Sequence, residues 1–309
     1  MRFARVTFAT AAASLLALSL SAQQPAGARD QMIVSTAWLA QHLKDPDLVL
    51  LHVGDPNEYK EKHLPGARFV TMQDVSVSDH SDTGLMLELP PTESLRERLT
   101  KLGISDASRI VVYYGNDWVS PTTRIVFTLD YAGLGARTSV LDGGMSAWVR
   151  DGHEVTDVVP AARTGTLSSL RTKPLVVDAG YVTRHIGKSG VAIVDARSAS
   201  FYDGVQAGGM NGSQRSGHVA SAKSVPFTEV TDDKLMFKSS SELAALFAKA
   251  GVQPADTVIG YCHIGQQATA MLFAARSLGH PVLLYDGSFQ EWSRLTDHPV
   301  ESPAKKDKQ

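Results

Sequence analysis

Cys262 is the residue best placed to do chemistry, and it is the only cysteine among the 309 residues. It follows a strand-like run at 257–261 and opens a polar loop, residues 262–267, that leads into an alanine-rich helix. The free amides and positive dipole end of a helix favour a thiolate there. A lone cysteine is commonly a small buried apolar residue, but this loop consists of His, Gly, Gln and one Ile. The setting predicts a nucleophile with a lowered pKa.

A metal centre is not expected. One cysteine among ten scattered histidines forms neither a C-x2-C nor an H-E-x-x-H pattern, so the spacing needed to close a zinc site is missing.

The N-terminus has the pattern of a secretory signal peptide. Arg2 and Arg5 precede an apolar stretch from Val6 through Leu20, and small residues follow it. Residues 1–28 therefore predict export to the periplasm or the medium, with no membrane attachment of the mature protein. An uncleaved membrane anchor is the alternative. Exported cysteines usually form disulfides, and Cys262 has no partner within the chain, so its free thiol is expected to have a chemical task.

Length and charge limit the possible classes. A chain of 309 residues exceeds what one hydrophobic core usually organises, which predicts two domains. The formal charge is −2, with no basic block in the part expected to fold, so nucleic acid is not an expected partner.

Two copies of one series of signals divide the chain. Each copy opens with a capped amphipathic helix, predicted at 34–39 and 177–182. It then passes through strands, a His-containing turn and a helix, and closes with an Asp-Gly pair followed by Trp148 or Trp292. Short apolar strands alternating with helices predict α/β domains, each a mainly parallel sheet flanked by helices. The predicted domains are 30–157 and 174–302, joined by a linker interrupted by Pro and Gly. Cys262 then lies at the carboxyl end of a strand, where such sheets place active sites.

These motifs resemble the tandem-domain rhodaneses, the thiosulfate and 3-mercaptopyruvate sulfurtransferases. The first copy carries the resemblance at residues 53–59 and 63–67, and the second copy at 194–197, 217–219, 262–267 and 285–292. Each motif alone is weak, but together they are specific and cover nearly all of the chain after the predicted signal peptide.

The resemblance implies two rhodanese-like domains and a sulfurtransferase. In this family the loop cysteine, here Cys262, takes a sulfane sulfur from a donor and holds it as a persulfide until an acceptor removes it, which is covalent catalysis without a metal or cofactor. An anion-binding loop of backbone amides is expected to hold the sulfur. The residues of that loop are His263, Ile264, Gly265, Gln266 and Gln267. Gly265 suits the sharp curvature that such a loop needs, because glycine adopts a positive φ without steric cost. Residues 115–121 match it in the first copy and contain no cysteine, so the N-terminal domain is expected to be catalytically silent.

Three further side chains are candidates for substrate binding. Arg215 is the nearest cation in sequence, with a protonated His263 as a second anion-binding group. Asp195 and Arg197 stand where the family has its Asp-x-Arg motif, although such a pair is more often a structural ion pair, and a solvated loop cation is the alternative for Arg215.

Thiosulfate is the expected donor, because an exported protein meets inorganic sulfur anions, with 3-mercaptopyruvate as the alternative. The acceptor is expected to be cyanide, sulfite, a small thiol or a protein thiol, and the protein is expected to be a monomer.

Two other classes stay open. Cysteine phosphatases and arsenate reductases share the loop architecture, but they need an arginine that clamps the oxyanion at the position of Ala268. A non-catalytic sulfur carrier or binding module is the other alternative, since Phe201 stands where the best-known enzymes have an arginine.

Overall fold

The computed structural model describes residues 28–209 and 212–306. The predicted signal peptide, residues 1–28, lies outside the described residues except for Ala28. The first half contains, in chain order, α1 (Ala28–Met32), β1 (Ile33–Val34), α2 (Thr36–His42), β2 (Leu48–Val53), α3 (Pro56–Glu61), β3 (Arg68–Phe69), α4 (Met72–Val75), α5 (Thr92–Lys101), β4 (Arg109–Tyr114), α6 (Val119–Tyr131), β5 (Thr138–Leu141) and α7 (Gly144–Arg150). The second half contains β6 (Val176–Val177), α8 (Ala179–His185), β7 (Val191–Asp195), α9 (Ala199–Tyr202), β8 (His218–Val219), β9 (Lys223–Ser224), α10 (Ser240–Lys249), β10 (Thr257–Tyr261), α11 (Ala268–Ser277), β11 (Val282–Tyr285), α12 (Ser288–Trp292), β12 (Val300–Glu301) and α13 (Pro303–Lys306).

Each half of the described chain builds one five-stranded parallel sheet. The strand order is β1-β5-β4-β2-β3 in the first sheet and β6-β11-β10-β7-β9 in the second. The two orders are equivalent strand by strand. The central strands β4 and β10 are almost entirely buried, as expected where helical crossovers cover both faces of a parallel sheet. The predicted architecture, two α/β domains that are each a mainly parallel sheet flanked by helices, is confirmed. An antiparallel pair, β8 with β12, joins the end of the chain to the second domain.

Side-chain caps precede α2 and α8, the helices that open the two repeats, as predicted. The Ser35 side chain accepts a hydrogen bond from the Trp38 amide at 3.1 Å, and Asp178 accepts one from the Tyr181 amide at 2.7 Å. Such caps satisfy amides that lack a partner within the helix. Val34 and Val177, which the sequence analysis grouped with these helices, instead lie in the short edge strands β1 and β6.

The same tyrosine contact occurs at equivalent positions in the two repeats. The Tyr113 hydroxyl accepts the amide of Leu64 at 3.0 Å, and the Tyr261 hydroxyl accepts the amide of Val219 at 3.0 Å. Tyr113 pairs with His52 across β4 and β2, and Tyr261 pairs with Asp195 across β10 and β7. Positions 52 and 195 are therefore structurally equivalent.

The two domains pack through α6 and α11. Three cross-contacts join them: Thr123 with Thr269, Ser120 with Gln266, and Asp130 with Arg276. Each pair has the same separation of 146 residues, so the helices run parallel and their N-terminal ends lie at the same end of the interface. One hydrophobic cluster runs through both domains here. The loops that precede the two helices, including residues 262–267, consequently lie on the same side of the molecule.

The predicted linker, residues 158–173, has no regular secondary structure. It lies along the surface of the first domain. It is held there by the buried side chain of Leu167 and by a 2.9 Å hydrogen bond from Arg96 to the Leu167 carbonyl. Within the described ranges, no helix combines the length and apolar character needed to cross a membrane.

Candidate active site

Cys262 lies directly after β10 and before α11, with none of its surface exposed. Its amide donates to the Ser288 hydroxyl at 3.2 Å, and its carbonyl accepts the Phe289 amide at 3.0 Å. Both partners are the first residues of α12, the helix that follows β11, the neighbouring parallel strand. The carboxyl ends of adjacent parallel strands meet at one edge of the sheet, and this is why the start of α12 supports the cysteine.

Four backbone amides surround the thiol of Cys262. They belong to Ile264, Gly265, Gln267 and Ala268. The first three are in the loop predicted from the sequence, and the Ala268 amide, at the first residue of α11, was not predicted. Gly265 has a φ of +80°, a conformation that glycine adopts at little cost, so the sequence-based expectation of tight curvature at this residue is met.

Burial and these amides act on the thiol in opposite directions. Complete burial raises the pKa of Cys262, and the hydrogen bonds from the Ala268, Ile264, Gln267 and Gly265 amides lower it, with burial prevailing. The predicted lowering of the pKa is therefore wrong for the resting protein. The hydrogen bonds from these amides stabilise a thiolate, but the free energy needed to remove the thiolate from water is larger than this stabilisation.

Labelling of Cys262 by iodoacetamide should therefore be slow at neutral pH. Because the pKa is raised above its usual value, the thiolate fraction should keep rising with pH past about 8.5, where a free cysteine is half ionised. The rate at each pH, divided by that of a small free thiol, is expected to be well below one near pH 7. A plateau of the labelling rate below pH 7 would contradict this expectation.

Asp195 and Arg197 form a buried ion pair. The Arg197 guanidinium donates to the Asp195 carboxylate at 2.6 to 3.1 Å and to the Gly217 carbonyl at 2.7 Å, and it lies 4.1 Å from the centre of the Phe289 ring. Both side chains are nearly inaccessible. These contacts favour the structural ion pair that the sequence analysis considered, and substrate binding by either residue stays a prediction.

His263 does not have the charge that was expected of an anion-binding group. Burial, and then the nearby positive charge of Arg197, lowers the pKa of His263 to about 4. Its ring meets Phe201 edge-on, with 4.6 Å between ring centres. His263 is therefore neutral at physiological pH, which corrects the expectation that it acts when protonated.

Arg215 is engaged away from the cysteine loop. Its guanidinium donates at 2.7 to 3.1 Å to four carbonyl oxygens around the end of α12, those of Trp292, Ser293, Leu295 and His298. Helix ends leave carbonyls without partners within the helix, and these contacts use four of the five donors of the side chain. They favour a structural role, and binding of a donor anion by Arg215 stays an untested prediction.

Arg124, on α6 of the N-terminal domain, is a site residue that the sequence analysis missed. It is completely buried, and its guanidinium donates to the Asp286 carboxylate at 2.5 Å and to the Gly265 carbonyl at 3.1 Å. A side chain at Gly265 would come within 2.7 Å of Asp286 and 3.0 Å of Arg124. Gly265 is thus required by close packing as well as by its backbone conformation. No local signal marks Arg124, because its partners are far away in sequence.

A segment of the N-terminal domain also contacts the residues that follow β11, next to those that support Cys262. The Leu89 amide donates to Asp286 at 3.1 Å, and the Met86 amide donates to the Gln290 side chain at 3.0 Å. Arg294 holds the Thr83 carbonyl at 2.8 Å. Although the corresponding N-terminal loop lacks a cysteine, this domain contributes Arg124 and residues 83–89 to the surroundings of Cys262.

No metal-binding group of three His, Cys, Asp or Glu side chains occurs within residues 28–209 and 212–306. The chemistry that the site offers is that of a buried thiol with converging amides.

Comparison with known proteins gives a consistent result. The rhodanese-like domain family matches residues 35–151 and 178–295. The thiosulfate sulfurtransferase of Azotobacter vinelandii is 28% identical over 274 residues, covering 87% of this chain and 97% of that protein. The sulfur carrier protein TtuD of Thermus thermophilus is 30% identical over 287 residues, covering 88% of this chain and 97% of that protein. The structure of SseA from Escherichia coli, described as a 3-mercaptopyruvate sulfotransferase with the rhodanese fold, has a TM-score of 0.71 and 28% identity, covering 83% of this chain and 98% of SseA.

Proposed function

Because the chain belongs to the rhodanese family, we propose that it transfers sulfur from thiosulfate to a thiophilic acceptor through a persulfide on Cys262. The family match and the sulfurtransferases that are similar to this chain show the general activity, that of a rhodanese-type sulfurtransferase. The observation that carries the assignment to Cys262 is the convergence of four backbone amides on its sulfur. Fixed amide donors stabilise a developing sulfur anion without reorganising during the reaction.

The reaction follows from these parts in two displacements. The Cys262 sulfur, after losing its proton to solvent, attacks the outer sulfur of thiosulfate. The sulfur–sulfur bond of thiosulfate breaks, and sulfite leaves with the bonding electron pair. An acceptor such as cyanide or a thiolate then attacks the terminal sulfur, and Cys262 leaves as a thiolate that the amides of Ile264, Gly265, Gln267 and Ala268 stabilise.

Thiosulfate is supported over 3-mercaptopyruvate by the chemistry of the donor and by the predicted signal peptide. A buried thiol is activated only when a proton leaves, and attack on a preformed sulfur–sulfur bond with a good leaving group, sulfite, demands little further proton transfer. An exported enzyme would also meet inorganic sulfur anions directly. We therefore place the mature protein in the periplasm or outside the cell.

The mass of the intact protein after exposure to each donor tests this choice. Thiosulfate should add one sulfur atom to the wild-type chain, and Cys262→Ser should gain none. The same spectra, taken on protein isolated from its native cells, report whether the first two dozen residues or so have been removed. Loading by 3-mercaptopyruvate alone would contradict the choice of donor, and a full-length native chain would contradict removal of a signal peptide.

A sulfur carrier is the second candidate, favoured by the complete burial of Cys262 and by its raised pKa, which are consistent with a persulfide that is held rather than rapidly turned over. A carrier would load once and release sulfur only to a protein acceptor. Multiple turnovers with thiosulfate and cyanide would exclude it.

A further inference from the structure

The N-terminal domain contains a cavity of about 560 Å³ beside His52. This volume lies within the range of small-molecule sites. The cavity is lined on one side by the loop at Gly115 and Asn116, and on the other by Met145 and Val149 of α7. It lies next to the loop that matches residues 262–267 of the catalytic domain, although the thiol is missing here.

The N-terminal repeat lacks the buried ion pair of its partner repeat. His52 occupies the strand position of Asp195, as the Tyr113 and Tyr261 pairings show. Two residues later, Gly54 stands where the second repeat has Arg197. In the second repeat the Arg197 guanidinium lies between Asp195 and the Phe289 ring. In the first repeat the His52 ring takes up the space beside Gly54, because a Cβ at position 54 would come within 2.8 Å of the His52 Nε2 atom.

His52 is left without a partner at the base of this cavity. Only 1% of the residue is exposed, and neither ring nitrogen has a hydrogen bond to any residue of 28–209 or 212–306. The ring is held by Tyr59, Phe69 and Tyr113, with ring centres 4.8 to 5.9 Å away. Burial lowers the pKa of His52 to about 4, so the ring is neutral and one nitrogen is an acceptor. A buried polar group without a partner is costly, and a donor from a ligand would remove that cost.

The charges at the cavity favour a cation. Glu58 and Glu61 both line it, and one Glu58 oxygen accepts the side-chain amide of Asn116. Lys62 opposes them, whereas Arg150 is neutralised by Asp151 at 2.9 Å. Two carboxylates therefore face one cation that has no carboxylate partner of its own.

We propose that this cavity binds a small organic cation carrying an alkylguanidinium or alkylammonium group. Its N–H donors bond to the free nitrogen of His52 and to the Glu58 carboxylate. Met145 and Val149 contact the alkyl part. The site is separate from Cys262, and its occupancy does not depend on sulfur transfer.

Titration of the full-length protein with butylguanidinium and butylammonium, followed by NMR of the histidine rings, tests the proposal. The His52 signal should shift and saturate with a Kd on the order of 1 mM, as for a small fragment, and butyrate should not produce this shift. Glu58→Gln should weaken binding about tenfold, because the charged N–H groups of the ligand lose the carboxylate that accepts them. Glu93→Gln, an exposed glutamate of α5, is the matched control and should leave binding unchanged.

A double variant, His52→Asp with Gly54→Arg, rebuilds the ion pair of the second repeat inside the cavity. It should abolish cation binding while Cys262 still accepts sulfur, which shows that the protein remains folded. Saturable cation binding that persists in this variant, equal binding of butyrate, or no saturable shift in the wild type would each overturn the proposal. If the double variant does not fold, an unchanged affinity of Glu58→Gln for butylguanidinium and butylammonium would overturn the proposal.

Discussion

Replacing Cys262 with serine should abolish persulfide formation and lower the rate of sulfur transfer by at least about 10³-fold. The hydroxyl is close in size to the thiol and can occupy the same buried position, but it is far too weak an acid to ionise there. The four amides that converge on position 262 stabilise an anion that serine does not form. The expected measurements are the absence of added sulfur in the intact-mass spectrum and the loss of thiocyanate production from thiosulfate and cyanide.

The result of this substitution is easy to interpret, because Cys262 is the only cysteine in the chain. The serine variant therefore has no thiol, and every sulfur atom that the wild type gains has to be on this residue. Thermal unfolding controls for the fold: the two proteins should unfold within a few degrees of each other. A serine variant that still moved sulfur from thiosulfate to cyanide would show that the reaction does not pass through position 262.

Removing the Arg124 side chain should give the second large effect, on stability as well as on activity. Arg124→Leu leaves the Asp286 carboxylate, which is 4% exposed, without its cation. Breaking a buried ion pair by removing one partner typically costs about 3–5 kcal/mol. It also removes the donor to the Gly265 carbonyl, so the amides around Cys262 lose part of their support. Urea unfolding should show the loss of stability, and sulfur loading should be slower in the protein that remains folded.

Two further variants separate this effect from a general sensitivity of the interface. Arg124→Leu with Asp286→Asn removes the stranded charge and should recover part of the lost stability, because an amide is less costly to bury than a carboxylate. Arg150→Leu removes an arginine from an exposed ion pair with Asp151 and should change stability little. Equal losses for Arg150→Leu and Arg124→Leu, or no recovery in the double variant, would show that the Arg124–Asp286 pair does not join the domains as described.

The sequence by itself determined the features that depend on neighbouring residues. Alternating strands and helices, the caps at Ser35 and Asp178, and the repeated Trp148 and Trp292 were enough to predict two α/β domains. The same kind of signal located Cys262 between β10 and α11, and the curvature needed at Gly265. These predictions succeeded because hydrogen bonding within a few residues and the period of apolar side chains are written directly in the chain.

Only the tertiary structure decided which charges and cavities these elements create. Arg124 and Asp286 are 162 residues apart, so no local pattern connects them. The pKa of Cys262 depends on how completely the folded protein excludes water, and burial reversed the direction that the local helix end predicted. Burial likewise makes His263 neutral, and the end of α12 engages Arg215. Comparison of the two repeats in sequence already matches His52 and Gly54 with Asp195 and Arg197, but only the folded protein shows that the His52 ring nitrogens are buried without a partner among the described residues. Solvent exclusion and long-range pairing are properties of the assembled molecule, because they depend on residues brought together from distant parts of the chain.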